Sequence, residues 1–310
     1  MVVKKRAFEI VKYAFLVATT VTVTALMLFM GAPMLRALRN HYGPVIYWLS
    51  GVLVSAAIIL AMPTVGMFVL ILFSLWVTVG CYQELEERGH ASFWTAALGV
   101  AAGSLIILEG SHLWANSLGL DLASEFKSNL EIIAQQLSTS GKKLSDYGIS
   151  AESIIGQVPS MVVGLEMTCL AFALMFGRRT AVLMGLRFER VAGEMRLLEF
   201  RVPDFLIWIA MFSFLLSFIS VKPAWISTVS TNVFSVTMGF YFFQGLAVLE
   251  AAFLAFKVGN VTRFLTYLLV VGQLLFLLSV VGVIDYWVDF RRRIKRWRSS
   301  EKNRRSEENI

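Results

Sequence analysis

The chain has 310 residues, of which 57% are hydrophobic and only 16% charged, against about 25% charge in soluble domains. A surface wetted by water throughout is thereby excluded, and lipid is the solvent for most of it. The net charge of +7 collects at the two ends and in one central loop without interleaved aromatics, which argues for anchoring to anionic headgroups rather than for nucleic-acid binding.

Lys4, Lys5 and Arg6 precede an apolar run from Tyr13 to Met30 and imitate a secretory signal peptide. The run exceeds the usual apolar core of about 7–15 residues, so it reads as an uncleaved first span, with a cleaved signal as the alternative. Seven further segments are long and apolar enough to cross a hydrocarbon core of about 30 Å. The spacing predicts spans at 11–31, 44–62, 64–82, 91–111, 155–176, 205–221, 232–256 and 263–287, with Pro63 and Gly89 marking tight hairpins. These runs do not alternate apolar and polar residues as barrel strands would, so they are helices.

Two connections are long. Between the fourth and fifth spans, within 121–150, Leu122, Phe126, Leu130, Ile133 and Leu137 recur at helical spacing opposite Glu125, Lys127, Asn129 and Glu131. This predicts an amphipathic helix that lies on the membrane or caps the bundle. Residues 177–204 carry six arginines with Glu189, Glu194 and Glu199, and the i, i+4 pair Arg190 and Glu194 reads as a charged helix in solvent. The tail, 288–310, is basic. Eight spans put both basic termini on one face and the arginine-rich 177–204 loop on the other, although all three are cytoplasmic signals under the positive-inside rule. Orientation is therefore open, and the stretch 222–256, with Lys222, Pro223 and Asn232 near its start, has room for a broken or re-entrant element.

An ionisable residue deep in a span is costly and is a functional hypothesis by default. Glu166 lies 12 positions before Arg178, about 18 Å along a helix and near the midplane. It is either a proton, ion or substrate contact or a structural hydrogen bond to another helix. Glu250 lies closer to Lys257 and can reach the interface by snorkelling. Gln244, Gln273 and Asn232 are either interhelical glue or the lining of a polar cavity. Gly245 leaves room for a neighbouring backbone or a ligand, and Gly99 with Gly103 forms a small-residue packing motif. Glu109, His112 and Trp114 sit where the fourth span leaves the bilayer, as an interfacial belt or a site.

The sequence holds no phosphate-binding loop, no HExxH, no paired CxxC and no GxSxG. No cofactor, metal site or enzymatic activity is expected. Cys81 and Cys169 fall inside separate apolar runs and read as packing residues.

Toward the C-terminus, Phe200, Arg201, Val202 and Pro203 lead into a span. Asn232 opens the next helix, followed by Gln244, Gly245, Leu246, Ala247 and Val248, then Gly282, Val283, Ile284 and Asp285 with Asp289, Phe290 and Arg291. In order and spacing this segment, about 200–293, resembles the YybS-like family of polytopic bacterial inner-membrane proteins. The resemblance implies an inner-membrane location and a helical layout distantly similar to the membrane substrate-binding components of energy-coupling-factor vitamin transporters. The first half is poorer in proline than the family's usual look. Asp285 and Asp289 fall one helical turn apart, with Arg291, Arg292 and Arg293 just beyond. They form either a helix end tied by ion pairs or a docking face for a partner.

The reading is an all-α polytopic membrane protein of about eight spans in the bacterial inner membrane. It is transporter-like or a substrate-binding membrane subunit, with Glu166, Gln244, Glu250 and Asn232 facing an internal polar cavity. The alternative is a scaffold that binds partners through its basic loops and tail. Expected partners are the lipid bilayer, other membrane proteins and a separate ATPase, with no nucleic acid.

Overall fold

The computed structural model describes residues 2–90, 92–138, 151–188, 198, 200–219, 223, 225–273 and 275–297. Among them regular structure is helical, and the chain divides into two units, Met1–Gly193 and Glu194–Ile310.

Unit 1 contains α1 (Val2–Leu26), α2 (Leu28–Tyr42), α3 (Pro44–Ala61), α4 (Gly66–Glu87), α5 (Ser92–Ser117), α6 (Leu122–Ser138), α7 (Ala151–Gly156) and α8 (Val158–Leu183). Sequence chemistry sets several of these boundaries. Pro44 is the first residue of α3, where its missing N–H costs nothing, and Pro63 opens a short 3-10 turn before α4. Gly89 and Gly185, at φ +74° and +62°, close α4 and α8 in the left-handed conformation that glycine tolerates. The His90 and Leu186 amides then reach back to the carbonyls of Leu85 and Ala181.

The sorting of side chains identifies lipid as the solvent. In α3 the buried residues are Tyr47, Gly51 and Ser55, one per turn, while Val45, Leu49, Val52, Leu53 and Leu60 face outward. Small residues turned inward and large apolar ones outward is the pattern of a helix packed in lipid. Gly51 admits the Trp76 ring of α4, and Tyr47 and Trp76 each donate to the other's backbone carbonyl, at 2.7 and 3.0 Å.

Among the described residues six helices are long and apolar enough to cross a bilayer: Glu9–Leu26, Pro44–Ala61, Gly66–Glu87, Phe93–Ser117, Val158–Leu183 and Trp225–Ala255. Phe205–Phe218 and Phe276–Val288 are shorter apolar helices. The predicted first span, 11–31, runs through a helix boundary. α1 stops at Leu26, Met27 leaves helical geometry, and α2 returns along α1. That course is fixed by Gly31 against Thr24 at one end and by the Tyr13 and Tyr42 rings, 4.4 Å apart, at the other. At that same end Lys12 donates to the Gly185 carbonyl at 3.3 Å and the Arg187 amide donates to His41 Nδ1 at 3.2 Å. The start of α1, the end of α2 and the end of α8 therefore meet on one face of unit 1. The amphipathic stretch is present as α6, and residues 139–150 lie outside the described residues. Of the predicted basic loop, Arg178 and Arg179 belong to α8, and Arg190 with Glu194 lies outside the described residues.

Unit 2 contains α9 (Phe205–Phe218), α10 (Trp225–Ala255), α11 (Asn260–Gln273) and α12 (Leu275–Val288), and residues 290–297 are again helical. α10 begins seven residues before the predicted 232, so Asn232 lies inside it rather than at its start. The predicted 263–287 is represented by α11 and α12 on either side of residue 274. The Gln273 side chain and 298–310 lie outside the described residues. α10 and α12 cross with backbones nearly touching: a Cβ on Gly245 would fall 2.0 Å from the Leu278 carbonyl oxygen, and one on Gly282 1.9 Å from that of Tyr241.

Candidate functional site

In unit 1, Glu166 is fully buried on α8. Its Oε1 accepts from Ser74 and its Oε2 from Thr78, both at 2.7 Å, one turn apart on α4. Gly103 of α5 makes the space: the Thr78 hydroxyl occupies the position its Cβ would take, 1.8 Å away, with the Ser74 carbonyl at 2.9 Å and Glu166 Oε2 at 3.2 Å. The Gly99 and Gly103 pair thus brings α5 close enough to α4 for a carboxylate and two hydroxyls to share one spot. No cation lies within ion-pair distance of Glu166 among the described residues.

In unit 2, Gln244, Asp285 and Arg291 come together. Gln244 accepts the Val202 amide at 3.0 Å and donates to Asp285 Oδ2 at 3.2 Å. Asp285, 1% exposed, also takes the Arg291 guanidinium at 3.0 Å and the Phe290 amide at 2.9 Å. Arg291 in turn donates to the carbonyls of Leu198 and Phe200, at 3.0 and 2.8 Å. The segment before α9, the middle of α10, the end of α12 and the start of the tail helix are tied at this one point. The expected common face for Asp285 and Asp289 does not form, because the helix breaks at Asp289, φ +49°. Asparagine and aspartate accept this geometry better than most residues. Asp289 instead pairs with Arg292 at 3.1 Å, and Arg293 is exposed.

Glu250 pairs with Arg263 at 3.4 Å and receives the Tyr267 hydroxyl, joining α10 to α11. Asn232 donates to the Thr228 carbonyl of its own helix at 2.8 Å. The groove of about 420 Å³ between α9 and α10 is apolar, lined by residues such as Trp208, Phe212 and Val233, and none of the expected polar residues lines it. At the α5 to α6 turn, His112, Asn116 and Asp121 border a hollow of about 530 Å³. Trp114 packs against Gly66 there, and Glu109 is exposed.

One charged cluster escaped the sequence reading. Arg36 and Arg39 of α2, 4% and 2% exposed, face the end of α4. Arg36 pairs with Glu86 at 3.1 Å, lies 5.8 Å from the Tyr82 ring centroid and donates to the Leu174 carbonyl of α8. Arg39 pairs with Glu84 and Glu87 at 3.1 and 3.0 Å, and Trp48 donates to Glu84. Removing one partner of the buried Arg36 and Glu86 pair leaves a buried charge at a cost of about 3–5 kcal/mol. The available signal was the pair Arg36 and Arg39 together with the acidic run Glu84, Glu86 and Glu87 that ends the third predicted span.

A family model described as predicted membrane protein, DUF2232, matches residues 10–286. No curated protein and no solved structure matches the chain. The family match runs through α1 to α12, from the cluster on α2 to Gln244 and Asp285, and the chain belongs to this DUF2232 family of predicted membrane proteins.

Proposed function

We propose that the protein is a transporter-like component, or a substrate-binding membrane subunit, of the bacterial inner membrane, akin to the YybS-like proteins, in which Glu166 contacts the transported ion or solute. The observation that carries this reading is the carboxylate of Glu166, fully buried in a spanning helix and held, among the described residues, by the Ser74 and Thr78 hydroxyls. Intramembrane acids without a protein counter-charge mark ion and substrate paths. Gln244, Glu250 and Asn232 take a supporting part, because their polar atoms already engage Val202, Asp285, Arg263, Tyr267 and Thr228.

The N-terminal end of unit 1 faces the cytoplasm. Lys12, Arg36, Arg39, Arg88 and Arg187 gather at that end through the contacts of Lys12 with Gly185, of Arg39 and Arg88 with Glu84, and of His41 with Arg187. This brings Arg187, in the first part of the arginine-rich loop, to the side that the positive-inside rule requires. With no phosphate loop in the sequence, active transport draws on an ion gradient or a separate ATPase.

Native mass spectrometry of the protein extracted with its own lipids tests the reading. A small molecule or an ATPase chain bound to the wild type, with the small molecule lost in Glu166→Gln, supports it. An empty wild type together with membrane partners that remain on Glu166→Gln and leave when 291–310 is deleted refutes it in favour of a scaffold.

A further inference from the structure

A hydroxyl has one proton to give and two lone pairs to receive with, and that count decides what Glu166 carries. Ser74 Oγ lies 2.7 Å from Glu166 Oε1 and 2.8 Å from the Ile71 carbonyl oxygen of its own helix. When Glu166 is ionised both neighbours are acceptors, and the single Ser74 proton serves only one of them. When Glu166 holds a proton on Oε1, it donates to Ser74 Oγ, Ser74 donates to Ile71, and each contact has its hydrogen. Thr78 donates to Oε2 at 2.7 Å, which is then the carbonyl oxygen of the acid. The two hydroxyls are therefore not equivalent, and together they seat one proton on one named oxygen. All three side chains are closed off from solvent. Losing the proton asks for one movement: the Ser74 hydroxyl swings its hydrogen from Ile71 to Oε1, while Ile71 keeps the backbone bond that its place inside α4 gives it. Both forms of the carboxyl fit without displacing a heavy atom.

A metal cation fits this spot less well. Hard cations gather about six oxygens, whereas the hydroxyl and carboxylate oxygens here are in direct hydrogen-bond contact. No group of three His, Cys, Asp or Glu side chains that could hold a metal lies among the described residues. The helices packed on this part of α8 bring it no counter-charge among the described residues. α4 presents Ser74 and Thr78, and Tyr82, one turn beyond, donates to Glu86 at 3.3 Å. α5 presents Gly103. Arg36 of α2 pairs with Glu86 and donates to the Leu174 carbonyl, eight residues further along α8. Glu109 of α5 and Glu152 of α7 are exposed, and on α8 itself the Cys169 thiol, one turn away, is the titratable neighbour. Building on the proposed role of Glu166 as an ion contact, we infer that the ion is a proton. Glu166 takes it on Oε1, Ser74 and Thr78 hold the acid form, and the swing of the Ser74 hydroxyl steadies the carboxylate once the proton has passed to water.

Infrared spectroscopy of the full chain in its own lipids, wild type minus Glu166→Gln, tests this. Glutamine is the matched blank because it copies the acid form, its amide donating to Ser74 and its carbonyl accepting from Thr78. The expected difference at neutral pH contains one carboxylic-acid carbonyl band. Raising the pH converts it reversibly to carboxylate bands, with the helical amide bands unchanged and the same midpoint in sodium and choline salts. Thr78→Val, which removes the donor to Oε2, moves the acid band to higher frequency, and an unmoved band overturns the seating on Oε1. Carboxylate bands alone at neutral pH overturn the inference, and so does a midpoint that sodium shifts to lower pH, which assigns the site to a metal cation. An acid band that persists until the helices melt overturns it as well, because a proton that never leaves is not carried. The transport reading is decided apart from this, by the solute that Glu166→Gln loses in native mass spectrometry, and it survives the carboxylate and sodium outcomes with another ion or solute in the proton's place.

Discussion

Gly282→Ala is the sharpest probe of unit 2. The new Cβ falls 1.9 Å from the Tyr241 carbonyl oxygen and 2.9 Å from the Gly245 amide nitrogen. Both obstacles are backbone, so no side chain can swing away, and α12 must withdraw by about 1.5 Å to restore ordinary contact. Overpacking of this kind costs about 1–3 kcal/mol. The withdrawal also stretches the 3.2 Å bond from Gln244 to Asp285 past hydrogen-bond range, and a buried polar group left unpaired adds about 1–3 kcal/mol. Alanine's better helix propensity returns about 1 kcal/mol. The net loss is about 3 kcal/mol, or roughly 10 °C in melting temperature. Gly164→Ala is the matched control: it lies inside α8 with nothing within 4 Å of the added methyl, so propensity alone acts and stability rises slightly. Thermal unfolding of both variants in the same detergent decides the matter. A Gly282→Ala protein that melts at or above the wild type refutes the close crossing of α10 and α12.

Arg291→Met leaves Asp285 buried without its counter-charge and destabilises by about 3–5 kcal/mol, whereas Asp285→Leu combined with Arg291→Met costs far less than the sum of the singles; additive melting shifts would refute the pairing. Gly103→Ala collides with the Thr78 hydroxyl, so it destabilises the wild type more than it does a Thr78→Ala background, and equal losses in the two backgrounds would remove Gly103 from the Glu166 pocket. In a cysteine-free background, His90→Cys and Arg187→Cys react with an impermeant maleimide from the cytoplasmic side and Asn116→Cys from the opposite side. Labelling of 90 and 187 from opposite sides would refute the return of α2 along α1.

Hydropathy made the spanning helices legible because it is a bulk property of about 20 residues and survives errors at either end. The α2 helix was hidden for the opposite reason. Its interior carries Pro33, Arg36 and Arg39, which read as a polar connection until Glu84, Glu86 and Glu87 arrive from 45 to 50 positions away. A local window contains the cost of burying those arginines and none of the compensation. The unit 2 node divides along the same line. Gln244, Gly245, Gly282 and Asp285 stood out singly, yet their convergence depends on the angle at which α10 crosses α12. The expected continuity from Asp285 to Arg293 failed at one dihedral, that of Asp289, which hydrophobic periodicity does not encode.

The acids that join these helices differ in what answers their charge, and that difference makes Glu166 testable apart from the rest. Glu86, Glu250 and Asp285 each face an arginine, and Glu84 and Glu87 share Arg39, so neutralising Glu86, Glu250 or Asp285, or both partners of Arg39, strands a guanidinium and harms the fold. Glu166 faces two hydroxyls. A glutamine there keeps the length of the side chain, accepts from one hydroxyl through its carbonyl and donates to the other through its amide. Glu166→Gln is therefore expected to melt within about 2 °C of the wild type, with roughly one hydrogen bond's worth of change at most, while losing any ion or solute that requires the carboxylate. A large fall in melting temperature with ligand binding intact would make Glu166 a strut between α4 and α8, and the transport reading would lose the residue that carries it.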